Sequence, residues 1–542
     1  MRTIVTSALP YSYAVPHLGN FVGSVLPGDV YFKYLKMKGE DAIFICGSDQ
    51  HGTPVELKAI KEGRTPEEVA DEMHERIKSL FARMGCGFTY YGKTHCEANR
   101  RTVYEIFDRL YKNGFIAENE SRHAYCNFDR RFLVDRLIVG TCPYCSTEFA
   151  RGDQCDNCGR LLEPKDIINP KCSICGKEEI VFRDVRNLAL SLDKLQARIR
   201  SFITEREGNN WTKNAINKPL SYIDEGLKPR DITRSMNWGF QVPLKGFEDR
   251  VFYVWFDAVI GYIGITREWD ERRWLHYWKG DARLVHFLGK DNIEFHTLMW
   301  PGIIIGSDMG YVLPATIKAS EYLVSKTVKF SKSRGVGLNL ETALDIMGSD
   351  YWRFALMYLY PETSDTEFSI ELLEEVVNTI MNDKIGNFIQ RVVKFSIANK
   401  DAIGGEPEKR HSDEAARILS AYTEGFEKVN LREALRQVVE MAGLGNAIMS
   451  NSRPWEMAKN QDKAKELGSV LNTLIEISYY LSIMLWPFAP DASVQALGYF
   501  GIEGDPTFKL LDKDISLDFD AFPEPIFKKI GNGEIEKLKL MS

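Results

Sequence analysis

The sequence predicts the α/β fold class: a Rossmann-like, doubly wound parallel sheet, split by a cysteine-rich insertion and followed by an α-helical bundle. Three observations support this prediction. Short apolar runs alternate with amphipathic helical patterns over residues 1–115 and again over 236–325. Between them, six of the ten cysteines form three Cys-x-x-Cys pairs. After about residue 375 the strand signals end and apolar residues recur at helical spacing.

Length and composition are those of an ordinary multidomain globular protein. The chain has 542 residues, of which 44% are hydrophobic and 27% charged, enough for three or four domains. Its net charge of −7 excludes a basic surface over the whole molecule, so any RNA contact must come from local patches. No signal-peptide pattern and no apolar run of about 18 residues stand out. We therefore expect a cytoplasmic location and no membrane association.

The first half of the sheet is predicted over residues 1–115. Residues 3–7 and 42–47 are β-like runs, and residues 66–84 and 98–113 have the apolar spacing of amphipathic helices. This alternation is typical of βαβ units with parallel strands. Pro27 and Gly28 lie inside the helical pattern after the first strand and should kink or restart that helix.

A possible phosphate-binding motif, His-Leu-Gly-Asn at residues 17–20, lies where the first helix should begin. A helix N-terminus has unpaired amides and a partial positive charge, which suit phosphate. Gly19 allows close approach of a ligand to the backbone, and His17 and Asn20 add side-chain donors. A motif of four residues also occurs by chance, so by itself it is weak.

The insertion is predicted over residues 116–235 and carries the cysteine pairs. Two Cys-x-x-Cys turns can place four thiolates tetrahedrally around a structural zinc ion, and four protein ligands close such a site. Free buried cysteines or a redox pair are the alternatives. The first predicted ligand set is Cys142, Cys145, Cys155 and Cys158.

A second zinc site is predicted around the third pair, which needs partners from elsewhere in the insertion. The best candidates are a cysteine and a carboxylate in the run at residues 125–129. A vacant or weak site is the alternative, because carboxylate ligands are less usual at structural zinc sites. The second predicted ligand set is Cys126, Asp129, Cys172 and Cys175.

The second half of the sheet is predicted over residues 236–325, with strands at 251–255, 284–288 and 316–319. A helical stretch at 292–299 should end before Pro301. When an insertion separates two such halves, the ligand binds at the carboxyl ends of strands from both.

A cationic loop is predicted at residues 329–333, within a connecting region at 326–375. It places Lys329 and Lys332 among serines, including Ser331, just before two glycines. Such a loop can follow the negative charge that develops on a leaving pyrophosphate. A solvated Lys/Ser loop is the simpler alternative. Residues 376–542 then form the predicted helical bundle and a C-terminal tail.

The order and spacing of the His17 and Lys329 motifs resemble the HIGH and KMSKS motifs of class I aminoacyl-tRNA synthetases, with Leu18, Asn20 and Phe330 as variants. Residues 8–11, 47–54, 253–262 and 289–296 are similar to the methionyl-tRNA synthetase family, in a form with two zinc knuckles and no C-terminal dimerisation domain. The resemblance implies a methionine–tRNA ligase. Such an enzyme activates methionine with Mg²⁺-ATP to methionyl-adenylate and pyrophosphate, and then transfers methionyl to the 3′-terminal ribose of tRNA(Met).

The resemblance also implies roles for individual residues. An aromatic and aliphatic cage suits a thioether, a carboxylate suits the substrate ammonium, and weak donors can face the sulfur. The cage is Leu9, Trp255, Ala258 and Tyr262; Asp49 pairs with the ammonium, and Tyr11 and His296 donate toward sulfur. Without the resemblance, Trp255 would be interpreted as a core aromatic residue and His296 as a satisfied helix histidine.

Two further groups of residues follow from the resemblance. Arg234 and Asp291 are candidates for adenylate or ribose contacts, with surface ion pairs as the alternative. Asn387, Arg391 and Trp455 in the bundle resemble anticodon contacts, since Trp can stack an unpaired base and Asn and Arg read base edges. Helix packing and a solvated arginine are the alternatives there.

Two other functions are alternatives to this one. A cysteine-type class I synthetase would use zinc to bind its substrate thiolate, whereas these cysteines form closed sets of four ligands. A catalytically silent, zinc-containing tRNA-binding relative would lose Asp49 or the lysine loop, yet both are present. We further expect a monomer, assisted by a separate tRNA-binding protein.

Overall fold

The computed structural model describes residues 2–133, 137–152, 155, 157–158, 160, 162, 164–206, 208, 210–325, 328–329 and 338–541. Ser331 and Lys332 lie outside these residues, as does the side chain of Lys329.

A five-stranded parallel sheet forms the centre of the first part of the molecule. Its strands pair parallel throughout, as the alternating pattern predicted. The spatial order reverses at the first strand, which lies between one strand from each side of the insertion. A crevice at the carboxyl ends of the strands is expected at such a reversal. In spatial order the strands are Pro314–Ser320, Ala282–Gly289, Arg2–Ser7, Ala42–Ser48 and Tyr90–Lys93.

Helices cover both faces of this sheet. The first helical segment restarts as predicted: a short turn at Leu18–Asn20 passes through a π-helical turn at Phe21–Val25 into Leu26–Lys38, with Pro27 in its first turn. The other helices of this part are Thr53–Glu62, Pro66–Arg83, Glu97–Lys112, Leu192–Thr204, Lys213–Asp224, Val254–Trp269, Trp274–Trp278, Trp300–Ser307, Leu340–Ile346 and Ser349–Tyr358.

Two predictions for this region are wrong in part. Residues 251–255 form a strand only at Val251–Phe252, and Val254 begins a helix that is buried on nearly every side. Because that helix lacks a polar stripe, its first residues look like a buried strand. The segment before Pro301 is a π-helical turn, Phe295–Met299, and the helix continues through Pro301, which occupies the first turn of Trp300–Ser307. Proline is tolerated there because no intrahelical N–H is required.

The insertion is built on a long antiparallel pair, Ile116–Cys126 with Ile180–Leu190. Leu188 and Leu190, at the base of the pair, belong to the hydrophobic core on one face of the main sheet. Cys126, at the far end, belongs to a separate small cluster. The remaining short strands are Arg131–Phe132, Ile138–Thr141, Ala150–Arg151, Ile168–Cys172, Arg230–Asp231 and Thr233–Arg234.

The bundle shares its hydrophobic core with the other face of the sheet. One cluster of buried residues runs from Val5 and Phe44 in the sheet to Leu538 near the C-terminus. A buried ion cluster lies at the same junction: Arg353 contacts Asp29 at 2.7 Å and donates to the Pro487 carbonyl at 2.7 Å, and Lys33 contacts Asp29 at 2.8 Å. The bundle elements are Ile370–Glu375, Val376–Gly386, Asn387–Ala398, Lys409–Glu427, Leu431–Ser452, Pro454–Met457, Ala464–Leu485, Pro490–Gly498 and Asn532–Met541.

One helical segment, Gln461–Leu485, is long and apolar enough to span a membrane by length and composition alone. The expectation that no segment reaches this length was therefore wrong. Its most apolar window is 78% buried inside the protein, as in the core helix of a bundle.

Candidate active site

The residues that follow the lysine loop in sequence pack against the His17 motif. The Leu18 amide donates to the Leu338 carbonyl at 3.0 Å, and the Leu340 amide donates to the Pro16 carbonyl at 3.0 Å. These bonds join the His17 motif to the residues just after the lysine loop. On the other side of that loop, Val328–Lys329 pairs with Leu323–Ser325. The segments before and after the loop are therefore each held by backbone hydrogen bonds to other parts of the protein.

His17 caps the helix that its motif begins. Its Nδ1 accepts from the Asn20 amide at 3.1 Å, and the Asn20 Oδ1 accepts from the His17 amide at 3.3 Å. The expectation of unpaired amides at this helix start is thus wrong for Leu18 and Asn20, whose N–H groups bond within the protein. The exposed Asn20 side chain lies at the surface of the site, and His17 is buried.

A small cavity opens at the carboxyl edge of the sheet, where the strand order reverses. It includes six of the seven residues predicted for methionine. The pocket-lining residues of the helix Val254–Trp269 recur every three or four positions and so share one face. The lining residues are Ala8, Leu9, Asp49, Trp255, Ala258, Val259, Tyr262 and His296.

Aromatic residues form the rim of this cavity. Tyr11, the seventh predicted residue, meets Trp255 edge to face with ring centroids 6.1 Å apart. Trp255 stacks on Phe295 at 3.9 Å with an interplanar angle of 6°. Phe295 was missed from the sequence, although it precedes His296 and its type could have suggested an aromatic wall. The stack fixes the plane of the Trp255 ring against the cavity.

His296 is held in one tautomer by two hydrogen bonds. Its Nδ1–H donates to the Asn292 carbonyl at 3.0 Å, because a carbonyl can only accept. Its Nε2 therefore accepts from the Tyr262 hydroxyl at 2.8 Å. Burial lowers the pKa of His296 to about 4, so the ring is neutral at neutral pH. In this state His296 has no N–H directed at a ligand, contrary to the donor role expected from the sequence.

Asp49 provides the negative charge in the cavity. Its backbone forms two hydrogen bonds with the loop that follows the first strand. The Asp49 amide donates to the Pro10 carbonyl at 2.9 Å, and the Asp49 carbonyl accepts from the Ser12 amide at 2.8 Å. The side chain is 2% exposed. Burial first, and then the negative charge of Asp257, hold the pKa of Asp49 well above its ordinary value. A cationic ligand would relieve this unfavourable burial of charge.

Arg234 and Asp291 lie on separate elements of the structure. Arg234 lies over the Tyr253 ring at 3.9 Å and donates to the Thr233 carbonyl at 3.0 Å. Asp291 is exposed in the turn Lys290–Asn292, directly after the strand Ala282–Gly289. Asp291 therefore lies at the carboxyl end of a strand of the main sheet, and Arg234 lies on a short strand outside that sheet.

The two cysteine sets each assemble as predicted, with their ligand atoms within 4.8 Å of one another. A tetrahedral zinc ion with Zn–S bonds of about 2.3 Å requires sulfur atoms about 3.8 Å apart. The Sγ atoms of Cys142 and Cys158 are 3.9 Å apart, and those of Cys145 and Cys155 are 3.6 Å apart.

The second set has matching geometry. The Sγ atoms of Cys126 and Cys175 are 3.7 Å apart, and the Cys172 Sγ lies 3.0 Å from the Asp129 carboxylate. Backbone amides point at the sulfurs here, for example that of Ile174 at Cys172. Both sets therefore fit a tetrahedral metal ion with four protein ligands.

The predicted anticodon residues lie on two bundle helices. Asn387 and Arg391 are one turn apart on Asn387–Ala398, and Arg391 is exposed. Asn387 donates to Asp383 at 3.2 Å. Trp455 lies on the short helix Pro454–Met457 with 39% of its surface exposed. Trp455 is therefore partly packed and partly accessible to a ligand.

Comparison with known families agrees with this architecture. Residues 3–393 match the family described as tRNA synthetases class I (M), and residues 399–540 match the anticodon binding domain of methionyl tRNA ligase. The chain belongs to the class I aminoacyl-tRNA synthetases.

Comparison with curated relatives identifies the enzyme family within this class. The chain is 40% identical over 552 residues to the methionine–tRNA ligase of Caldivirga maquilingensis, covering 99% of this chain and 93% of that protein. It is 39% identical over 550 residues to the methionine–tRNA ligase of Korarchaeum cryptofilum, covering 99% and 97%. Within its class the chain belongs to the methionine–tRNA ligase family.

Solved structures share the fold over nearly the whole chain. Mycobacterium tuberculosis methionyl-tRNA synthetase bound by methionyl-adenylate has a TM-score of 0.80 and 21% identity, covering 97% of this chain and 100% of that one. The apo form of the same enzyme has a TM-score of 0.72 and 19% identity, covering 98% of each chain. At these sequence identities, the comparison shows the shared fold alone.

Proposed function

We propose that this methionine–tRNA ligase binds methionine in the cavity beside Asp49. The observation that carries this proposal is a cavity that combines an apolar cage with one buried carboxylate, at the reversal of strand order. Leu9, Trp255, Ala258 and Tyr262 would surround the thioether, which favours polarisable and apolar neighbours. Asp49 would pair with the ammonium, and its charge would then be compensated. Tyr11 would cover the cavity at its rim.

His296 would act through Tyr262 rather than as a donor to sulfur. Because its Nε2 accepts from the Tyr262 hydroxyl, it fixes the orientation of that ring against the cage. A cage without strong donors would disfavour amino acids whose side chains carry charge or need several hydrogen bonds.

In the first chemical step the methionine carboxylate attacks the α-phosphorus of ATP in line, and pyrophosphate leaves. Positioning and charge stabilisation can supply the rate without a side-chain nucleophile. His17, Gly19 and Asn20 would bind one end of the triphosphate, and Lys329, Ser331 and Lys332 the other. Mg²⁺ would enter with the ATP and neutralise part of its charge. Arg234 and Asp291 would contact the adenylate or its ribose.

In the second step the 3′-terminal ribose of tRNA(Met) takes the methionyl group from the adenylate. Asn387, Arg391 and Trp455 would hold the anticodon, with Trp455 stacking on a base. Each cysteine set would hold a structural zinc ion, which would stabilise the insertion. We also propose a cytoplasmic location and assistance by a separate tRNA-binding protein.

Methionine-dependent ATP–pyrophosphate exchange tests the first step, with the other amino acids as controls. Lys332→Ala should lower the exchange rate by about 100-fold with little change in methionine affinity, since the lysine would act on the leaving pyrophosphate. Lys36→Ala, which removes an exposed lysine elsewhere, is the matched control. Unchanged exchange in Lys332→Ala would refute the role of the loop, and exchange with cysteine in place of methionine would favour the cysteine-type function.

A further inference from the structure

A chain of three buried or half-buried side chains lies directly behind the methionine cavity. Asp257, in the first turn of the helix Val254–Trp269, contacts the Nδ1 of His51. The Nε2 of His51 lies 2.8 Å from the Nδ1 of His95. Asp257 and His51 are fully buried, whereas His95 is partly exposed. The three residues come from three separate parts of the sheet and its helices.

The direction of the first hydrogen bond follows from the carboxylate end. A carboxylate accepts, so the Nδ1–H of His51 donates to Asp257. The Nε2 of His51 and the Nδ1 of His95 share the second hydrogen bond of the chain. Burial lowers the pKa of His95 to about 4, and the neighbouring His51 contributes. Asp257 places a negative charge at the buried end of the chain, and this charge raises the pKa of Asp49.

Aromatic side chains pack around His51, the middle residue of this chain. The rings of Phe240 and Trp238 lie 4.7 Å and 5.5 Å from that of His51. Trp238 also donates from its indole to the Gln50 carbonyl at 2.5 Å. The other charged groups that face His95 are Lys93 and Asp71, which pair with each other at 2.7 Å.

The chain is connected to Asp49 in two ways. The peptide N–H of His51 donates to the Asp49 carboxyl, which lowers the pKa of Asp49, while the negative charge of Asp257 raises it. Gly52, with a φ of 93°, follows His51 and lets the backbone turn at this point. In the described part of the chain, Oδ1 of both Asp49 and Asp257 is buried without a hydrogen-bond partner.

We propose that Asp257, His51 and His95 are positioning residues for methionine capture. Their hydrogen-bonded chain holds the His51 peptide that orients Asp49, and Asp257 adds a second negative charge behind the ammonium site. The proposal rests on the proposed function, in which Asp49 binds the ammonium. Asp257 does not line the cavity, so it acts through His51 and through its field.

Asp257→Asn tests the charge with little change in shape, because the Asn Oδ1 still accepts from His51. We expect the Kd for methionine, followed by tryptophan fluorescence, to rise about tenfold at pH 8, which is the effect of about one pKa unit of lost interaction. The Kd for ATP should not change. Removing a like charge lowers the pKa of Asp49, so the acid limb of the pH dependence of methionine binding should move to lower pH. A purely structural role for Asp257 would not move that limb in this direction.

Three further variants complete the test. His95→Asn retains a hydrogen-bonding group at the Nδ1 position and should bind methionine almost normally, whereas His95→Ala should weaken binding several-fold. Glu268→Gln removes an exposed charge from the same helix as Asp257 and is the control for charge alone.

The outcomes separate this inference from the assignment of Asp49. If Asp49→Asn abolishes methionine binding but Asp257→Asn changes neither the Kd nor the acid limb, the positioning chain is refuted. If Asp49→Asn binds methionine normally, the assignment of the ammonium site itself fails. Thermal unfolding of each variant identifies binding losses that only reflect misfolding. An Asp257→Asn variant that stays folded but shows no shift of the acid limb counts against the proposal.

Discussion

Replacing Asp49 with Asn should have opposite effects on methionine binding and on stability, because burial and the negative charge of Asp257 raise the pKa of this carboxyl group. It is 2% exposed, and its Oδ1 has no hydrogen-bond partner in the described part of the chain. Losing one charge-assisted hydrogen bond to the ammonium costs about 1.5–3 kcal/mol. At about 1.4 kcal/mol per tenfold change, the Kd for methionine should rise by roughly 10- to 150-fold.

The same substitution should stabilise the protein without ligand. A carboxyl group whose folded-state pKa is raised destabilises the folded protein at every pH above its ordinary pKa, since the unfolded chain ionises more easily. Asn removes that cost, so at pH 7.5 the free energy of unfolding should increase by at least about 1 kcal/mol. Methionine should then protect the variant from unfolding much less than it protects the parent protein.

Equilibrium denaturation with and without methionine, together with fluorescence titration, measures both quantities. Asp71→Asn is a suitable control, because Asp71 is a more exposed carboxylate paired with Lys93. If Asp49→Asn weakens methionine binding and also destabilises the free protein, the Asp49 side chain has a structural role in the loop after the first strand. The reasoning is then refuted.

Three other changes have defined outcomes. Trp455→Ala should raise the KM for tRNA in aminoacylation by about tenfold, the loss of one stacked base, with pyrophosphate exchange unchanged; equal losses in both assays would contradict an anticodon role. Metal analysis should find two zinc ions per chain, one of which is lost in Cys142→Ser and the other in Asp129→Ala; a single zinc in the parent protein would exclude the second site. For His296 the unfolded chain takes up a proton below about pH 6.5 but the folded protein only below about 4. Its contribution to stability, about 3 kcal/mol, is therefore complete above pH 6.5 and is lost as the pH falls to 4, which a pH series of denaturation curves for the parent protein and His296→Asn would measure.

The strands of the sheet were predictable where burial makes them continuously apolar. Residues 3–7 and 42–47 match Arg2–Ser7 and Ala42–Ser48 closely. The strand Tyr90–Lys93 was missed because a four-residue run that contains glycine has too little pattern. The start of the helix at Val254 was predicted as a strand because β-branched and aromatic residues favour strands. Tertiary packing overrides that propensity here.

The site could be predicted only where residue type and motif order were sufficient. The cavity residues came from a resemblance, and the cysteine sets from spacing. The contact of Asp257 with His51 joins positions 206 residues apart, so no local pattern could indicate it. The tautomer of His296 depends on the Asn292 carbonyl one helical turn earlier and on the Tyr262 hydroxyl from another helix. The sequence predicts the first neighbour but not the second.

The hydrophobic core shared by the sheet and the bundle has a consequence for cooperativity. Family comparison divides the chain between residues 393 and 399, but buried side chains and the hydrogen bond from Arg353 to the Pro487 carbonyl join the two segments across that boundary. Cutting there would expose a large apolar surface and remove a buried hydrogen-bond acceptor of Arg353. The two segments should therefore melt in one calorimetric transition. A destabilising substitution in the bundle helices would then also lower the fraction of molecules that have a folded catalytic site.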